Sequence, residues 1–141
     1  MKNGNDRTWA RVNLKLDVAT IPPGQYICVI ADARIVEASA RDAIWLFLTL
    51  EPISEDGEVL GQIEDKFITL AAAPSSKHVR SVPEGLRKLA IYGAATGLDF
   101  DCREPGEIPK MVVGAKVKAS VSRRGAGIHA ENRLGAIGKV V

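Results

Sequence analysis

Ala43-Ile44-Trp45-Leu46-Phe47-Leu48-Thr49-Leu50 reads as a β-strand with two unlike faces. Successive strand side chains point to opposite sides. Ile44, Leu46, Leu48 and Leu50 therefore line one face, and Trp45, Phe47 and Thr49 the other. The aliphatic face suits a core. The other face sets two of the chain's few aromatic rings side by side. Flat rings on the solvent side of a sheet are what the bases of a single strand stack on. Large aromatics can equally be covered, and Trp9 and its neighbours offer a cover, so stacking and burial both stay open at this point.

Similar patterns extend in both directions. Residues 1–20 read as an arm in which Trp9 and the alternation of Val12, Leu14 and Leu16 hint at a short strand. Ile21-Pro22-Pro23-Gly24 is a stiff turn, because proline fixes φ and glycine frees it. Gln25–Glu37 is expected to be the first strand, with Ile27, Val29, Ala31, Ala33 and Ile35 on one face and Tyr26, Cys28, Ile30, Asp32 and Arg34 on the other. Ala38 to Asp42 is short enough for a hairpin loop, and the second strand is Ala43–Glu51. Gln62–Leu70 makes the third strand, with Ile68 and Leu70 sharing one face and Phe67 and Thr69 the opposite one. A helix follows: Pro83 suits its first position, Leu86, Leu89, Ala90, Gly93 and Ala94 share one side, and Gly97 stops it. Asp99–Pro109 reads as an acidic loop. Ala115–Arg123 alternates small apolar residues with Lys116, Lys118, Ser120 and Ser122. Arg123-Arg124-Gly125-Ala126-Gly127 is a hairpin tip, and the last strand runs from near Ile128 to Val141, with Gly135 and Gly138 marking bends or bulges.

Three strands, one helix and two strands is the order of an OB-fold, a mainly β, five-stranded Greek-key barrel with its helix between strands three and four. The expected domain is 21–141, preceded by the arm. In that architecture ligands lie on strands two and three, between the loop joining strands one and two and the loop joining strands four and five. Those loops carry Arg41 and Arg123-Arg124 here, and Trp45, Phe47 and Phe67 lie on the strands between them. Cationic loops beside an aromatic platform make a groove for a phosphate backbone with stacked bases. Lys116 and Lys118 are further candidates, although a solvated strand surface explains them as well.

Composition fits this reading without deciding it. The chain has 141 residues, 46% of them hydrophobic, and a net charge of +2. The charge is uneven: Lys110 to Val141 holds seven basic residues against Glu131 alone, a net +6, so the preceding residues sum to −4. Acid gathers in Glu51–Asp65 and Asp99–Glu107. Such asymmetry suggests a polyanionic partner more than the total charge does, and a solvated strand face with a basic tint explains it equally well. No apolar run is long enough for a membrane span, and no apolar signal core follows Met1. With Cys28 and Cys102 isolated, neither a disulfide framework nor a zinc knuckle is expected. A cytoplasmic setting fits these features.

Pro23-Gly24-Gln25-Tyr26, Leu46–Glu51, Gly57 with Gly61, Leu86–Gly97, Val113-Gly114-Ala115-Lys116-Val117 and Asn132-Arg133-Leu134 form a pattern that covers about Ile21 to Val141. In that pattern the chain resembles the phage-encoded OB-fold single-stranded DNA-binding proteins. It implies a replication or recombination accessory that coats single strands in a bacterial cytoplasm, with replication or recombination proteins as further partners. Cellular relatives recruit partners through an acidic tail. This sequence closes on Gly138-Lys139-Val140-Val141, so that route is not expected.

Other chemistries find weaker support. His78 and His129 lie far apart without ligands at metal spacing, so no metal or cofactor is expected. Glu64, Asp65, Asp99 and Asp101 would be the carboxylates of a metal-dependent nuclease, which needs several converging acids. No catalytic residues are assigned. A protein-interaction barrel using the same aromatic face is the other alternative. DNA or RNA preference, and the oligomeric state, homo-oligomers included, stay open.

Overall fold

A computed structural model describes residues 21–37, 43–71, 79–101 and 103–141. Five strands form one antiparallel sheet in the order β3-β2-β1-β4-β5. They are β1 (Gly24–Glu37), β2 (Ala43–Ile53), β3 (Ile63–Ala71), β4 (Lys116–Arg124) and β5 (Glu131–Gly138). The helix α1 (Val82–Thr96) lies between β3 and β4, and a short second helix, α2 (Ile108–Val112), follows it. The sheet curls until β3 and β5 approach each other, giving a nearly closed OB-fold-like barrel. The arm, residues 1–20, lies outside the described residues, as do Arg41, His78 and Cys102.

The barrel bends where its strands carry extra residues. In β1, Ile30 pairs with Leu50 and Asp32 with Thr49, leaving Ala31 without a partner on β2. Such a bulge bends the strand and resets its alternation. Cys28 and Ile30 therefore face inward before the bulge, and Ala33 and Ile35 pack against the same core after it. The expected single face of Ile27, Val29, Ala31, Ala33 and Ile35 is corrected accordingly: Ile27 is 44% exposed. Near this point β1 leaves β4, whose pairing with it ends at Val29 opposite Lys116, and continues with β2.

The expected bulge in the last strand is present at Gly135. Ala119 pairs with Ile137 but Val121 with Leu134. Ser120 Oγ accepts the Ala136 N–H at 2.9 Å, and a Cβ on Gly135 would stand 2.3 Å from that oxygen. This strand starts later than expected, because a 3-10 turn at Gly127–His129 precedes it. Similarly, the end of the acidic loop is helical, and Ile108 and Val112 of α2 are buried in the core.

The core is built on Leu46, Leu48 and Leu50 of β2, all but sealed from solvent, with Cys28, Ile30, Val117 and Ala119 around them. The helix α1 starts with proline in its first turn and ends at Gly97, whose left-handed φ of 76° suits glycine. It closes one end of the barrel by placing Tyr92 and Ala95 in the core. Tyr92 donates to Asp65 Oδ2 at 2.7 Å, and Lys88 Nζ donates to Asp65 Oδ1 at 2.6 Å. A buried carboxylate is tolerable only with such partners. This network fixes α1 to β3.

Candidate nucleic-acid interface

The outer face of β1, β2 and β3 is organised in cross-strand rows. Arg34, Phe47 and Lys66 are direct neighbours in register, as are Asp32, Thr49 and Glu64 on one side of them, and Val36, Trp45 and Ile68 on the other. Trp45 and Phe47 follow one another along β2 with ring centroids 6.3 Å apart and planes tilted by 51°. Both are half-buried rather than sealed in the core.

Phe47 lies between two cations. The Arg34 guanidinium stands 4.6 Å from its ring centroid, and the Lys66 ammonium 5.8 Å. These distances place both charges within reach of the ring's negative face. Arg34 also donates to Glu64 Oε2 at 3.4 Å. Trp45 stands opposite Ile68, which is buried, so the Phe47 row is the more open of the two.

Phe67 does not belong to this face. It is 5% exposed and packs in the core with its ring stacked on Tyr92, centroids 6.1 Å apart. The expected place of Phe67 on the aromatic platform is corrected by the cross-strand register, and the irregularity of β3, where Ile44 pairs with Leu70 and Trp45 with Ile68, comes only after it. Before that irregularity Phe67 stands opposite Leu46, on the inner side.

The cationic candidates separate into groups. Lys116 and Lys118 are exposed on the outer face, but they pair with Val29 and Ile27 on the other half of β1. Val29 precedes Arg34 by five residues, about 16 Å of strand, so these lysines do not join the Phe47 row. Arg123 and Arg124 are exposed and complete the ladder of β4, opposite Asn132 and Glu131. They are strand residues beside the tip rather than part of it. The tip turns at Gly125, with a φ of 81°. That end of the barrel reaches the start of β3 through Ile21, Ile63 and Val121, which pack together. The loop 38–42, containing Arg41, leads into Ala43, which pairs with Ala71 at the other end of β3. The aromatic rows lie between the two loop ends.

A groove of about 1010 Å³ runs along the open seam between β3 and β5. Lys66 and Glu64 belong to it as well as to the Phe47 platform, and Lys88, Glu131 and Arg133 line it further on. Sequence reasoning assigned no role to Arg34 or Lys66. The loop expected over 38–42 is centred on residue 40 and would set Arg34 opposite Leu46; the observed register, with Glu37 opposite Ile44, sets it opposite Phe47.

The carboxylates proposed for a nuclease are dispersed. Glu64 faces outward to Arg34, while Asp65 faces inward to Lys88 and Tyr92. Asp99 lies beyond α1 and accepts the backbone N–H of Asp101. Among the described residues no group of three His, Cys, Asp or Glu side chains is placed to hold a metal ion. Among the same residues no helix is long and apolar enough to cross a membrane. The chain matches no protein-family model and no curated protein.

Proposed function

We propose that this protein binds single-stranded DNA without strong sequence preference, by base stacking on Phe47 and Trp45 and by cationic contacts to the backbone. The observation that carries the reading is the Arg34–Phe47–Lys66 row: a half-buried ring flanked by two cations on the outer face of an OB-fold-like barrel. Cations displace counterions from the phosphates, and rings accept any base because every base has a π-face. Arg123 and Arg124 at one end of β3 supply flanking charge; Arg41, expected to add to it, lies outside the described residues. Coating of single strands in phage-type replication or recombination, in a bacterial cytoplasm, is the role the family resemblance implies.

A fluorescence titration tests the reading. Oligo(dT) is expected to change tryptophan emission, oligo(rU) measures any preference between DNA and RNA, and duplex is expected to bind more weakly. Phe47→Ala should lower affinity for oligo(dT) by about 1–3 kcal/mol. An unchanged affinity in a folded variant would place the site elsewhere. A second reading, a protein-interaction barrel, draws on an apolar outer patch in which exposed Ile27 and Val59 both pair with Ile53. It expects flat titrations with every oligonucleotide.

A further inference from the structure

We propose that Glu64 is an internal competitor for the phosphate backbone, holding Arg34 and thereby setting how tightly a single strand is bound; the inference rests on the reading given above. Arg34 is the cation closest to the Phe47 ring, 4.6 Å from its centroid. It is also the one already engaged, with Nη2 3.4 Å from Glu64 Oε2. Lys66, the second cation on that ring, makes no ion pair among the described residues. Carboxylate and phosphate oxygens compete for the same guanidinium donors. An incoming phosphate next to a base on Phe47 therefore has to displace Glu64 from Arg34.

The pair is built to be displaced. Its side chains are 50% and 45% exposed, and exposed ion pairs of this kind shift an equilibrium by only about 1.5- to 5-fold. The carboxylate sits in the row next to Phe47, on the strand adjacent to it. It thus lowers affinity where the backbone passes, without blocking the ring. A moderate affinity suits a coat that must later be removed from the strand.

The test is the binding of oligo(dT) at low salt by the full chain and four variants: Glu64→Gln, Arg34→Ala, the double variant, and Glu58→Gln. Glu58 is exposed on the β2–β3 turn and controls for loss of one negative charge far from the ring. Glu64→Gln should bind about two- to fivefold tighter than the parent, and Glu58→Gln should gain clearly less. In the Arg34→Ala background the Glu64→Gln gain should shrink to the Glu58→Gln level. Matching thermal midpoints establish that all variants are folded. A Glu64→Gln gain no larger than that of Glu58→Gln, or one that survives without Arg34, overturns the proposal. A parent that binds no oligonucleotide overturns the binding function itself, and its own flat titration distinguishes that failure from the first.

Discussion

Phe47 and Phe67 have the same side chain and opposite roles. Phe67 is stacked on Tyr92 within the barrel, so Phe67→Ala should destabilise the protein by about 3–5 kcal/mol in denaturant unfolding. A loss below about 1 kcal/mol would contradict its placement. Two buried protons add a pH dependence. Burial pushes the Cys28 thiol up to about 11 from its ordinary 9.0. Burial first, and then the charge of Asp65, push the Tyr92 phenol far above its ordinary 10.0. Both groups stay neutral in the folded protein after the unfolded chain has begun to release their protons. Their contribution to stability is whole below about pH 9 and is lost as the pH rises towards 11, with Tyr92 adding to the loss above 10. Denaturant midpoints measured across that range should fall, and Cys28→Ala should make the first part of the fall shallower. An equally steep decline in that variant would assign it to other groups.

The elements were legible in outline from their own residues. Alternation places Leu46, Leu48 and Leu50 of β2 inward, and Pro83 and Gly97 bracket α1. Alternation failed in β1 because the strand carries an extra residue and the counting shifts beyond it, whereas in β3 the face of Phe67 was set by its register opposite Leu46. Nothing local marks Ala31 as a bulge; it is the closing of the barrel that calls for one there. The contact between α1 and β3 gives a prediction at this scale. A Cβ on Gly85 would stand 1.6 Å from the Ile68 carbonyl oxygen. Replacing glycine by alanine within a helix normally gains about 1 kcal/mol. Gly85→Ala should instead lose about 1–3 kcal/mol or more, read as a lowered denaturant midpoint. A raised midpoint would show that helix and strand are further apart.

Across the whole molecule, charge and curvature act together. The basic C-terminal segment from Lys110 includes β4 and β5, which bring Arg123, Arg124 and Arg133 to the end of the barrel where β3 begins. Binding of oligo(dT) should therefore weaken steeply with salt. Arg123→Ala combined with Arg124→Ala should reduce the slope of log affinity against log salt by about 1–2; an unchanged slope would remove these arginines from the path of the strand. The sequence by itself determined the number and order of the strands, the helix between the third and fourth, and the two-faced character of β2. Those features follow from side-chain periodicity, proline and glycine, which act over a few residues. Only the tertiary structure decided that Arg34 and Lys66 flank Phe47, that Phe67 is core, and that Lys116 and Lys118 stand apart. Cross-strand register and bulge position fix these neighbours, and both are set by how the sheet closes on itself.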